Sequence, residues 1–318
     1  MPPPSTDSAV ADRHSLSVLV PVRNEAGNLR RAYAALRQVL DACPEISAWE
    51  LLFIDDGSSD SSWEESLALA ASDPRVRCLK LALPVGQHAA LCAGMEAALG
   101  EILLTCDADL QVPPVELPRL WRAIGEGVDL VRGWRKERAH RSRLRRWLSF
   151  LTTQVVSLLL GRRYRDLTSP YAALRAELGR SLLKSGIRRH ALGVAAVQLA
   201  PQVVELPVRH LPRVSGRSRY TWRSLLRLGS VMLATCFPAV PRRLAVAAGF
   251  LALLGGTAAA ALHLGGFGAA SAALAALLGG APALLLLSFA GFLHVRRRRL
   301  LRAEEQPLYR IAERYPPS

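Results

Sequence analysis

From Leu16 onwards the chain alternates short apolar runs with longer stretches in which apolar residues recur at helical spacing. Leu16–Val22, Glu50–Ile54, Val76–Leu81, Ile102–Cys106 and Asp129–Val131 have the length and composition of strands. Between them, Ala26–Asp41, Ser61–Ala71, Gln87–Leu99 and Val115–Glu126 are read as helices. Strand and helix in alternation predict an α/β domain with a parallel sheet covered on both faces. In such sheets ligands bind beyond the carboxyl ends of the strands, so polar residues that directly follow a strand carry the candidate chemistry.

The pattern changes after residue 140. Residues 140–160 begin with Arg141, Arg143, Arg145 and Arg146 and continue into an apolar body. Such a helix either lies on a bilayer or packs its apolar face against the sheet. Trp222–Phe237 has a similar character. Leu244–Leu264 and Phe267–Val295 are each long enough to cross a hydrocarbon core, which takes about 20 residues. Gly265-Gly266 predicts a tight hairpin between them, and Pro282 a kink in the second. Arg242-Arg243 precede the pair and Arg296–Arg299 follow it, which places both ends in the cytoplasm. The expected organisation is a disordered tail (1–14), an α/β domain (15–220), a juxtamembrane interfacial helix (221–243), two transmembrane helices (244–295) and a basic cytoplasmic tail (296–318). The N-terminal tail is polar, with no apolar core of a signal peptide, so the domain behind it is expected to stay in the cytoplasm.

A formal charge of +15, carried mostly by arginine, calls for an anionic partner. Basic residues crowd between Arg132 and Arg146, between Arg209 and Arg227, and at Arg296–Arg299. Two of these clusters adjoin apolar helical segments, which favours anionic membrane lipid over nucleic acid. Neither zinc-finger spacing nor an RNA-binding aromatic motif is present, so no nucleic-acid partner is expected. Five widely spaced cysteines form neither a disulfide framework nor a metal-binding pair and read as reduced thiols.

Four constellations follow the strands: Pro21-Val22-Arg23-Asn24-Glu25, Asp55-Asp56-Gly57-Ser58-Ser59-Asp60, Gly86-Gln87-His88-Ala89-Ala90 and Asp107-Ala108-Asp109-Leu110-Gln111. Asp107 and Asp109 offer hard oxygen ligands at a sheet edge, which suits Mg2+ or Mn2+ sharing its shell with water and phosphates. Asp55 and Asp56 read two ways: as turn formers before Gly57, or as acceptors for base and ribose donors. Ser58, Ser59 and Ser61 could cap the helix that follows. His88 and His190 share no ligand spacing with other donors and read as structural.

Taken in order, these motifs resemble family 2 glycosyltransferases of the GT-A (Rossmann-like) fold, in the branch of dolichyl-phosphate mannose synthase and bacterial polyprenyl-phosphate glycosyltransferases. The resemblance continues through Gly133-Trp134-Arg135 to Arg213-Val214-Ser215-Gly216-Arg217-Ser218-Arg219-Tyr220, and the C-terminal apolar pair suits the same branch. It implies that Pro21, Arg23, Glu25, Asp55, Asp56, Gln87, Asp107 and Ala108 bind the nucleotide sugar. It implies a metal site of Asp107, Asp109 and Gln111, with Asp109, Asp166 and Arg135 catalytic. Arg132, Arg138, Arg213, Ser218 and Arg219 would meet acceptor phosphate or diphosphate, where arginine's planar fork grips best. Asp166, in Arg165-Asp166-Leu167-Thr168-Ser169-Pro170, lies where the family has an acidic residue near the acceptor; a turn role ahead of Pro170 competes with that reading. Two departures stand out: Val22-Arg23 replace a common tyrosine, and Val112 follows Gln111 where the family often has aspartate.

The implied reaction is inverting transfer of a sugar from a nucleoside-diphosphate sugar to an undecaprenyl or dolichyl phosphate at the cytoplasmic face of a bacterial inner membrane, by a multi-pass protein. An acceptor phosphate is already nucleophilic, so alignment and charge stabilisation supply most of the catalysis. Two rivals are a polysaccharide synthase-type glycosyltransferase and a non-catalytic nucleotide-binding membrane scaffold. The first carries a QxxRW motif that this chain lacks, and the second has no need of Asp107, Asp109 and Gln111. Self-association into a homo-oligomer is a common default.

Overall fold

A computed structural model describes residues 14–135, 143–167, 169–185, 192–211, 234, 237, 239–304 and 309–316. The chain forms two compact units, one of residues 1–219 with 307–318 and the other of residues 220–306.

The first unit begins β1 (His14–Val22), α1 (Leu29–Asp41), β2 (Ile46–Asp55), α2 (Ser62–Ser72), β3 (Val76–Leu81), α3 (Gln87–Ala97) and β4 (Ile102–Thr105). A 3-10 turn (Pro114–Glu116) then runs into α4 (Leu117–Trp121), followed by β5 (Leu130–Arg135), α5 (Arg143–Leu160), β6 (Ala172–Arg175), α6 (Ala176–Lys184), α7 (Leu192–Leu199) and β7 (Val203–Val208). Central strands in a sheet covered on both faces read as continuous apolar runs, and β1 and β2 do so. Leu16, Val18, Val20, Leu51 and Phe53 form the core with Leu29, Leu36 and Leu40, which α1 presents at helical spacing. Burying each such side chain contributes about 2 kcal/mol.

The sheet order is β7-β5-β6-β4-β1-β2-β3-β8. Here β8 (Ile311–Tyr315) comes from the far end of the chain. The expected all-parallel sheet is corrected to a mixed one. Strands β4-β1-β2-β3 are parallel, but β6 runs antiparallel to β4 and β5, and β8 antiparallel to β3. The expected basic tail is also corrected: its last residues complete the sheet, with Lys80 paired to Glu313. Both sheet edges are blunted, one by Pro207 in β7 and the other by charges in β8.

The second unit contains α8 (Ala239–Leu264) and α9 (Gly268–Glu304). Within them, Ala239–Leu264 and Gly268–Arg298 are long and apolar enough to cross a membrane, with only 11% and 12% of their most apolar windows buried. A core helix of a water-soluble protein would enclose these side chains; here Val246, Phe250, Leu277 and Leu285 all lie exposed. The helices meet at Gly255 and Gly279, where a Cβ on Gly279 would stand 2.5 Å from the Gly255 Cα. Small residues at such a crossing let backbones approach closely.

Candidate active site

The carboxyl ends of β4, β1 and β2 lie side by side. Leu19 pairs with Thr105, Val22 pairs with Asp55, and the Asp56 N–H donates to the Val22 carbonyl at 2.9 Å. The chain proceeds from β1 to β2 and β3, then crosses to β4 on the other side of β1. Such a reversal of strand order marks the usual ligand position in an α/β sheet.

On the β1–β2 side the two loops are knitted together. Asn24 N–H donates to Ser58 Oγ, Ser59 N–H to Asn24 Oδ1, and Glu25 N–H to Ser62 Oγ. The serines expected to cap α2 are therefore redirected: Ser58 and Ser59 hold the loop after β1, and no side chain caps α2 at Ser61. Glu25 accepts from Asn28 within the same loop. Asp56, 3% exposed, accepts from the N–H groups of Val85 at 2.6 Å and Gly86 at 2.9 Å, and from Arg23 Nη1 at 3.5 Å. It thus joins the loops after β1, β2 and β3. Asp55 behaves as a turn former, its Oδ1 accepting Ser58 N–H at 2.7 Å, while its buried Oδ2 has no hydrogen-bond partner. Asp55 and Asp56 are both enclosed, at 1% and 3% exposure, whereas Arg23 beside them is exposed.

After β4 the chain turns outward. Ala108 points into the core, leaving Asp107 and Asp109 half-buried on either side of it. Asp107 Oδ1 accepts from Gln87 Nε2 at 2.9 Å, so the first residue of α3 holds the first carboxylate. Asp109 Oδ1 accepts Gln111 N–H at 3.1 Å, and the Gln111 carbonyl accepts Leu211 N–H at 2.7 Å. Among the described residues no group of three or more His, Cys, Asp or Glu side chains is placed to hold a metal. Two carboxylates alone suit a small hard cation that keeps waters and phosphate oxygens in its shell, so the donor set fits Mg2+ or Mn2+.

A third cluster lies at the end of β5. Arg135 grips Asp166 with both arms of its fork, Nε at 2.8 Å and Nη2 at 3.2 Å, and Asp166 is 1% exposed. Arg132 corrects the expected phosphate contact. It is buried, and its guanidinium donates to the carbonyls of Gly193, Asp166, Leu167 and Ser169. Burial lowers its pKa, with the Asp166 and Glu205 charges acting in the opposite direction. Its role here is to hold the backbone at Asp166, Leu167, Ser169 and Gly193. Arg165, absent from the sequence-based set, is exposed and lies over the Trp134 ring at 4.8 Å, and its backbone N–H is held by Glu205. A cation beside Asp166 and an aromatic beside Arg135 were the available signal. Arg138, Arg213, Ser218 and Arg219 lie outside the described residues. Leu211, two positions before Arg213, is bonded to the acidic loop.

Residues 17–182 match the family model described as glycosyl transferase family 2. The chain belongs to that family. This family 2 glycosyltransferase is 35% identical over 243 residues to an undecaprenyl-phosphate 4-deoxy-4-formamido-L-arabinose transferase of Salmonella choleraesuis (strain SC-B67), covering 76% of this chain and 73% of that one. The enzyme of the same name from Pectobacterium carotovorum subsp. carotovorum (strain PC1) is 33% identical over 259 residues, covering 80% and 77%. Among solved structures, glucosyl-3-phosphoglycerate synthase from Mycobacterium tuberculosis, in complex with Mn2+, UDP and phosphoglyceric acid, superposes with a TM-score of 0.54. That match covers 70% of this glycosyltransferase and 79% of the synthase at 18% identity, and it confirms the GT-A fold.

Proposed function

We propose that this glycosyltransferase moves a sugar from a nucleoside-diphosphate sugar to a polyprenyl phosphate at a membrane surface. The observation that carries this reading is the half-buried Asp107/Asp109 pair directly after β4, where the strand order reverses beside β1. The lipid acceptor is supported by the undecaprenyl-phosphate transferases that share a third of its sequence, and by two long exposed apolar helices. Helix α5 adds support: it buries Thr153, Val156 and Ser157 while exposing Phe150, Val155 and Leu158, with exposed Arg162 and Arg163 just beyond its end. That face suits anionic lipid headgroups over an apolar layer.

The nucleoside end of the donor would lie along Pro21–Glu25 and Asp56, and its diphosphate beside Asp107, Asp109 and Gln111. A divalent cation, Mg2+ or Mn2+, held there would neutralise charge on the departing diphosphate. Gln87 keeps Asp107 oriented for that task. On the acceptor side, Arg135 and Asp166 act as one ionic unit, so Asp166 serves to position the site and is not a free base. Among the described residues Arg165 is an exposed cation beside the Arg135–Asp166 unit that would meet the lipid phosphate. A phosphate oxygen then forms its bond to the anomeric carbon as the carbon–diphosphate oxygen bond breaks, inverting configuration with no proton to remove.

Purified protein incubated with polyprenyl phosphate and a panel of nucleotide sugars, with and without chelator, tests the reading. Metal-dependent lipid glycosylation that Asp109→Asn abolishes is the expected result. Equal turnover in chelated and metal-loaded enzyme would overturn it.

A further inference from the structure

Residues 169–171 lead into β6, which lies between β4, ahead of the acidic loop, and β5, which ends at Arg135. The last of the three, Tyr171, is 1% exposed and among the largest fully enclosed side chains. Phenylalanine would fill the same volume, so packing alone does not call for the hydroxyl. That hydroxyl accepts the N–H of Val112 at 3.3 Å. Val112 closes the loop that carries Asp107 and Asp109, and inside the loop Leu110 adopts φ +52°. A leucine in the left-handed region is strained and persists only where its surroundings fix it. Among the described residues three hydrogen bonds do so: Gln111 N–H to Asp109, Leu211 N–H to Gln111 O, and Val112 N–H to Tyr171. The first is internal to the loop and the second comes from an exposed residue. The third is anchored in the core, on buried Tyr171.

The backbone around Tyr171 faces the other way. Its carbonyl accepts Gly133 N–H at 2.9 Å, and Thr105 Oγ1 donates to the carbonyl of the neighbouring Pro170. Gly133 has no room for a side chain, since a Cβ there would stand 3.3 Å from the Tyr171 Cβ and 2.9 Å from Val208 Cγ1. Gly133 leads through Trp134 to Arg135, the partner of Asp166.

We propose that Tyr171 is a positioning residue for the metal-binding loop: its hydroxyl sets the main chain at Val112, while its backbone locks that loop to the Arg135–Asp166 unit. The proposal rests on Asp107 and Asp109 holding a divalent cation. Burial, and then the charges of Asp107 and Asp109, raise the phenol pKa well above its ordinary value, so the hydroxyl stays neutral as it accepts from Val112.

Tyr171→Phe in the full-length, detergent-solubilised protein isolates the hydroxyl. Mn2+ binding without substrate, read from the electron paramagnetic resonance signal of the free ion, should weaken by about three- to tenfold, the yield of one hydrogen bond. The KM for the nucleotide sugar should rise with it, and kcat should change less. Unchanged Mn2+ affinity, with or without a lower Tm, would overturn the proposal. Should Tyr171→Phe fail to fold, Val112→Pro removes the same hydrogen bond from its donor side, and unchanged Mn2+ affinity there is equally decisive. Asp109→Asn run alongside separates the two claims: intact Mn2+ binding in that variant sinks the metal site itself, whereas lost binding there with unchanged binding in Tyr171→Phe sinks only the role of the tyrosine.

Discussion

At the scale of single residues, the site divides into groups that face solvent and groups that hold them. Arg132 belongs to the second kind, a buried guanidinium spent on backbone carbonyls from the 166–169 loop and from Gly193. Arg132→Met would strand those acceptors, and each buried unsatisfied group costs about 1–3 kcal/mol. A matching fall in denaturant-unfolding free energy is expected, together with loss of transfer as the Asp166 loop relaxes. Near-normal stability would mean that water replaces the guanidinium. The Asp107-Ala108-Asp109 triplet was legible in the sequence because its signal is local, an apolar strand followed at once by acids. Arg132 and Tyr171 were not, because their partners lie 34 to 61 positions away and no local pattern distinguishes a buried arginine from a phosphate-binding one.

At the scale of elements, β1–β4 and α1–α3 were readable from periodicity because long buried runs and amphipathic faces each leave a distinct spacing. β5 was read in part, as Asp129–Val131, and the last three strands were hidden. β6 is Ala-Ala-Leu-Arg, a helix-forming composition made extended by pairing with β4 and β5. β7 carries Pro207, which local rules set against a strand, yet a sheet edge tolerates it. β8 follows a long helix and is half charged, so only its partner β3 reveals it. Its grip extends past the ladder: Ala82 N–H donates to the Arg310 carbonyl, and Tyr309 is hydrogen-bonded to Glu96 on α3. Those contacts flank the turn whose Val85 and Gly86 N–H groups hold Asp56. Removing residues 307–318 should lower the thermal midpoint by about 5 °C and raise the donor KM. An unchanged midpoint would show that β8 contributes nothing to the sheet.

At the scale of the whole molecule, one folded enzyme domain is combined with a two-helix apolar unit. Gly279→Leu should separate the helices, because even a methyl group there overlaps the Gly255 backbone. Cysteines placed on the two helices should then lose their mutual cross-linking in vesicles, and persistence of the cross-link would put the crossing elsewhere. The return of the chain to pair β8 with β3 carries a further constraint of parity. Strands divided between opposite sides of a bilayer cannot share a ladder, so a membrane span by one of the two long helices would require a span by the other. Were both helices to span a bilayer as proposed, excising either one would leave the final strand on the wrong side of the lipid, severed from the sheet it closes.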